Sequence, residues 1–171
     1  TEWDTKKPVY EQWPLIKDAL VTWFGNWQDN TLITKLTASP TGTSTAGEWM
    51  VTNSTGTEVS IAATDKLTCA YISKAKRRCK GHAPKIQPFN IDGGEYYVLL
   101  ISLEAARDLR TDSAWLAAQQ YAGVRDAMKN PIFSGAMGLW DGVAVYEYER
   151  ISKTATGASS ALVSHNLMLG K

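Results

Sequence analysis

The amino-acid sequence predicts an α+β chain, a long helix followed by a core with a central sheet and flanking helices. Three observations carry that expectation. Ile16, Leu20, Trp23 and Trp27 recur in four-three-four steps, the spacing of one helix face. Tyr96-Tyr97-Val98-Leu99-Leu100-Ile101 is apolar throughout, which implies a strand buried on both faces and therefore central. Asp141-Gly142 sits between Leu139-Trp140 and Val143-Ala144-Val145, a strong hairpin signal because a tight reversal needs positive φ.

Residues 9–36 read as one helix, with Ala19, Phe24 and Ile33 widening its stripe. Pro14 suits a first turn, so a regular helix is expected from about residue 13, spanning roughly 35 Å at 1.5 Å per residue. That length suggests a strut with a buried face. Residues 37–61 change character, since 15 of the 25 are Ser, Thr, Gly or Asn around Trp49-Met50-Val51. A long loop with a short hairpin is expected there. Asn53-Ser54-Thr55 matches a glycosylation acceptor, but an ordinary polar turn is the preferred reading. A second helix is expected over 64–80, capped by Thr64 or Asp65 and ended by Gly81. Its Leu67, Ala70, Tyr71, Ala75 and Arg78 share a face.

Pro84 to Ile91 reads as extended, Asp92-Gly93-Gly94 as a turn, and Glu95 to Ile101 as the central strand. Ser102 is a natural cap for a short helix through Leu109. Residues 113–129 are expected to be helical, with a break at Gly123. After the hairpin, residues 152–160 form a Ser/Thr/Ala/Gly linker and Ala161 to Leu169 a final strand. The expected organisation is therefore 1–61, 62–151 and 152–171.

The chain has 171 residues with 18 basic and 17 acidic side chains, a formal charge of +1. Such a balance argues against a nucleic-acid binder held by a strong positive field. Seven Trp point to extensive packing in a core or an interface. No run has the length of a membrane span. No signal-peptide pattern opens the chain, and Thr1 in place of Met suggests processing or part of a longer product. Cys69 and Cys79 are ten apart on one helix and point in different directions, so no mutual disulfide is expected and a reduced, intracellular assembly environment is.

Catalytic and cofactor chemistry finds little purchase. His82 and His165 lack the spacing that brings metal ligands together. Gly157-Ala158-Ser159 lacks the closing glycine of a nucleophile elbow. Gly135, Gly138 and Gly142 precede no Lys-Ser/Thr and form no phosphate cradle, so they read as turn geometry. Glu147 and Glu149 are expected on one strand face with Tyr146 and Tyr148 on the other. With Asp141 they read as a solvated or inter-subunit salt-bridging surface before they read as catalytic acids. Lys74, Lys76, Arg77, Arg78 and Lys80 form the strongest charge cluster. Cations at a helix C-terminus complement the macrodipole, and contact with DNA or a neighbour's acids is the alternative. No catalytic, cofactor-binding or metal-binding residue is expected.

The segment Asn130-Pro131-Ile132-Phe133-Ser134-Gly135-Ala136-Met137-Gly138-Leu139-Trp140-Asp141-Gly142, leading into an acidic strand, resembles the major capsid proteins of tailed bacteriophages, in the branch related to the coliphage N-four coat protein. Asp18-Ala19-Leu20 through Trp23-Phe24, Asp29 and Leu36 is similar to that family's long helix. Asp92-Gly93-Gly94-Glu95-Tyr96-Tyr97-Val98 with Asp108-Leu109-Arg110-Thr111 resembles a second block, and Asn166-Leu167-Met168-Leu169-Gly170 the start of its last strand. The resemblance implies a Hong Kong-type capsid fold, with residues 13–36 as the spine helix and residues from about 62 as the axial domain. It also implies that the family's N-terminal arm, extended hairpin and continuation are absent.

On that resemblance the chain is a non-enzymatic shell subunit, found in the virion and assembled in the host cytoplasm. Its copies form the pentamers and hexamers of an icosahedral shell around double-stranded DNA. Scaffolding, portal or decoration proteins are further partners, DNA contact is non-specific at most, and no membrane is involved. A shell-decorating or head-tail binding protein is the alternative, and an enzyme of unrecognised type the less favoured one.

Overall fold

The computed structural model describes residues 7–37, 58–91, 93–121 and 136–171. The polypeptide divides after Leu36 into two units.

The first unit is represented by α1 (Lys7–Thr37), 31 residues and about 47 Å long at 1.5 Å per residue. It starts six residues before the expected residue 13, and Pro14 lies inside it. One missing N–H forfeits one backbone hydrogen bond, and the remaining turns carry the helix through. Two β-branched residues are accommodated by back-bonding: Thr22 Oγ1 donates to the Asp18 carbonyl at 2.9 Å and Thr31 Oγ1 to that of Trp27 at 2.8 Å. The helical spacing is therefore real, but the expected burial is not. Ile16, Leu20, Trp23 and Trp27 are 42%, 59%, 62% and 52% exposed, while Ile33 is buried. Periodicity reports that a face is apolar, not what covers it.

The second unit is built on a five-stranded sheet. Its central strand is β2 (Gly94–Ile101), as the apolar run predicts. On one side β2 pairs in parallel with β4 (Val143–Glu147), in register from Tyr97↔Val143 to Ile101↔Glu147. It also pairs antiparallel with β1 (Phe89–Ile91) near its start and with β7 (Leu167–Leu169) near its end. β3 (Gly138–Trp140) joins β4 through the expected hairpin, where Asp141 at φ 47° and Gly142 at φ 73° form the primed turn that suits strand twist.

Three helices accompany the sheet: α2 (Cys69–Gly81), α3 (Leu103–Thr111) and α4 (Ser113–Tyr121). Ile72 of α2, Leu109 of α3 and Trp115 of α4 join Tyr97, Leu99, Ile101, Val143 and Val145 in one core. Alternation along β2 buries Tyr97, Leu99 and Ile101, while Val98 and Leu100 are half-buried. Ser102 caps α3 as expected, accepting from the Ala105 N–H at 3.2 Å.

Several boundaries depart from expectation. α2 begins at Cys69, not Thr64, and its first N–H is satisfied from a distance: Cys69 N–H donates to Asp112 Oδ2 at 2.7 Å. The supposed linker 152–160 contains β5 (Lys153–Thr154), which pairs with β6 (Val163–Ser164). The single final strand expected over 161–169 is two strands, β6 and β7, broken at His165-Asn166. Asn166 explains the break, since its Oδ1 accepts from the Ser102 N–H at 3.0 Å and pins the corner to the head of α3. Trp49-Met50-Val51, the glycosylation-type triplet, Gly123 and Asn130 to Gly135 lie outside the described residues.

Candidate interaction surfaces

Helix α2 carries the strongest charge cluster of the sequence, and its pitch distributes those charges over three sides. Ile72, Ser73 and Lys76 face the sheet and hairpin: Trp140 Nε1 donates to Ser73 Oγ at 3.1 Å, and Lys76 Nζ pairs with Asp141 Oδ1 at 2.8 Å while also donating to the Asp141 carbonyl. Lys80 reaches Glu95 at 3.5 Å. Lys76 therefore clamps the hairpin turn to the helix, and Lys80 reaches the start of β2. Lys74 and Arg77 lie on the exposed side, with Lys74 Nζ stacked 4.7 Å from the Tyr71 ring centroid. The helix-terminal reading of the cluster explains only part of it, because Lys76 is engaged in a tertiary ion pair.

The three acids set aside as a surface group are separated. Asp141 belongs to the turn clamped by Lys76, and Glu147 pairs with Arg110 of α3 at 2.7 Å. Glu149 lies past the end of β4, in a turn beside Arg150. The expectation that Glu147 and Glu149 share a strand face is thus corrected, since the strand stops at Glu147. Each acid has a basic neighbour within its own chain, at 2.8, 2.7 and 3.9 Å for Asp141, Glu147 and Glu149.

A groove of about 460 Å³ opens on another flank of α2, lined by Ala75, Arg78 and Cys79 of that helix and by His82 just past its end. Its floor includes Leu67, Leu99, Leu167 and Met168, and α3 supplies Glu104 and Asp108. At one end Glu58, in a short 3-10 turn (Glu58–Ser60), accepts from Thr154 Oγ1 at 3.0 Å and from Thr156, and lies 3.2 Å from His165 Nε2. The Thr156 hydroxyl is the main influence holding Glu58 below the ordinary carboxylate range, against the opposing effect of burial. Glu104 is held below that range chiefly by Lys153, whose Nζ is 2.7 Å away. Sequence reasoning missed this groove. Glu58, Glu104 and His165 come from distant segments, and no spacing rule brings them together.

Asp112 is also more acidic than usual, first because it accepts the Cys69 N–H. For Asp112, Glu58 and Glu104 the folded pKa is depressed, so their stabilisation is complete above the unfolded values, 3.8 for Asp and 4.5 for Glu. It is lost as pH falls through those values toward the folded ones. The urea midpoint should stay level from neutral pH down to the ordinary carboxylate range and drop below it, with a smaller drop in Asp112→Asn. A midpoint equal at pH 3 and pH 7 would contradict this account.

Both cysteines are free and buried. Burial pushes the Cys69 thiol up to about 12 and raises that of Cys79. Native protein should therefore resist iodoacetamide at pH 8 and label at both positions only when unfolded, since the thiolate is the nucleophile. Rapid labelling of folded protein would overturn that placement. Among the described residues, no three His, Cys, Asp or Glu side chains are placed to hold a metal ion, and no helix is long and apolar enough to cross a membrane.

The family model described as "phage capsid protein" matches residues 30–167. The chain belongs to the phage capsid protein family. Its fold is similar to the capsid of Ralstonia phage GP4, with a TM-score of 0.70 and 22% identity over 91% of this chain and 50% of that one. It is also similar to the capsid asymmetric unit of cyanophage Pam1, with a TM-score of 0.58 and 24% identity over 79% of this chain and 45% of that one. The chain thus spans about half the length of those solved capsid chains. No curated protein matches it.

Proposed function

We propose that the chain forms the helix-and-sheet part of a major capsid subunit, whose copies build an icosahedral shell around double-stranded DNA. The family match over residues 30–167 carries this reading, and the similarity to two phage capsids supports it. In the Hong Kong-type arrangement, α1 is the spine and the sheet-centred unit from about residue 62 is the axial domain. The quoted sequence blocks favour the branch related to the coliphage N-four coat protein.

The mechanism needs no reacting group. Many modest homotypic contacts, repeated by closed symmetry, add to a stable shell of pentamers and hexamers. Contact with packaged DNA is non-specific, the subunit is not an enzyme, and it assembles in the host cytoplasm before residing in the virion. Mass spectrometry of purified particles, joined to cryo-electron microscopy, tests this directly. The expected result is this polypeptide as the most abundant component, with α1 and the sheet traceable in every shell position. Its presence only as an outer addition to a shell made of another protein would replace this reading with that of a decoration protein.

A further inference from the structure

We propose that the groove beside α2 receives the Lys74–Arg77 face of α2 from a second copy, in a head-to-tail contact between subunits. The proposal rests on the capsid-subunit reading and adds a specific pair of surfaces to it. The two surfaces lie on different sides of one helix. Ala75, Arg78, Cys79 and His82 line the groove, whereas Ala70, Lys74, Arg77 and Gly81 form the exposed side. One copy therefore cannot place its own cations in its own groove.

The charges are complementary. Glu58, Asp65, Glu104 and Asp108 line the groove against a single guanidinium, Arg78, and two imidazoles. Arg107 lies 3.5 Å from Asp108 and Lys153 2.7 Å from Glu104, so with Arg78 the groove sets four carboxylates against three cations and keeps an acidic excess. The Glu104 side chain as a whole is 43% exposed, so its carboxylate contributes to the acidic character of the groove while bonded to Lys153. On the other surface, neither Lys74 nor Arg77 has a carboxylate within salt-bridge distance among the described residues. The apolar floor suits the aliphatic stems of such side chains, which bury their methylenes and keep the charge at the rim.

A second copy explains these observations better than DNA does. Two cations give roughly two phosphate contacts, too few for firm binding at physiological salt, and they leave the acidic groove without a role. A contact between two different patches is heterologous, and repetition closes it into a ring when the rotation permits.

The test is sedimentation of the full 171-residue chain at 50 mM and 500 mM salt, with circular dichroism as a check on folding. Wild type should self-associate in a salt-sensitive way. Lys74→Glu/Arg77→Glu and, separately, Asp65→Lys/Asp108→Lys should each weaken association about tenfold or more, a factor worth 1.4 kcal/mol. Mixing the two variants should restore it, because each intact surface meets an intact partner and the reversed surfaces match each other. If the groove variant misfolds, Asp108→Asn replaces it, with a smaller loss expected. A monomeric wild type, variants that associate as wild type does, or a mixture no better than its components overturns the proposal. So does loss of binding to a duplex DNA fragment in Lys74→Glu/Arg77→Glu with self-association unchanged. Absence of the chain from purified particles would instead refute the subunit reading and leave this measurement standing.

Discussion

Ile101→Ala should destabilise the sheet-centred unit by about 3 kcal/mol, within the ~2–5 kcal/mol typical of removing a buried Ile side chain. Ile101 has no exposed surface and sits where β2 meets β4, two residues beyond Leu99 on the buried side. The change removes apolar area and leaves a cavity that the paired backbone cannot collapse into. For a chain of this length the melting temperature should fall by roughly 6–12 °C, at ~2–4 °C per kcal/mol. Leu109→Ala, on the helix packed into the same core, should behave alike, and the double variant should depart from additivity because the two sites share one core. Thermal unfolding followed by near-ultraviolet circular dichroism measures both. A shift below 2 °C for Ile101→Ala would mean that β2 is not the centre of the sheet.

The second large effect separates folding from assembly. Trp23 and Trp27 were natural candidates for a buried helix face, where replacement by Ala costs about 3–5 kcal/mol. Their exposure of 62% and 52% removes that expectation for the isolated chain. Trp23→Ala/Trp27→Ala should change its melting temperature by less than about 3 °C, as surface substitutions do. In the complete particle, the same substitutions should cut particle yield severely, because a subunit surface of large apolar side chains is the kind that assembly covers. Melting curves and particle counts from the same variant decide it. A melting shift above 10 °C in the isolated chain would restore the buried-face account.

What the sequence made legible was local. The apolar run at 96–101 announced a central strand, Asp141-Gly142 announced its hairpin, and Ser102 announced a helix start; each signal is complete within a few residues. The start of α2 was misplaced because its first N–H is capped by Asp112, 43 residues away. The split between β6 and β7 was invisible for the same reason, since Asn166 acts on Ser102 across 64 residues. Of the basic cluster, composition identified the members but not their allocation, which the hairpin contacts determine. The groove could not be found at all, because its acids are ordinary surface residues until the fold gathers them. The resemblance to phage capsid proteins reached further than any of these signals, since the family match covers residues 30–167.

The arrangement of partners around β2 also constrains the order in which the polypeptide can fold. Sixty-five residues separate the end of β2 from the start of β7. At ~5–20 residues per second, translation supplies the last partner roughly 3–13 s after β2 itself has been made. Throughout that interval the most apolar strand of the chain lacks the β7 side of its hydrogen-bonding ladder. Such a nascent edge invites pairing with other chains emerging from the same messenger RNA. Polysome-bound subunits should therefore be strong clients of chaperones, and slowing translation should increase their aggregation.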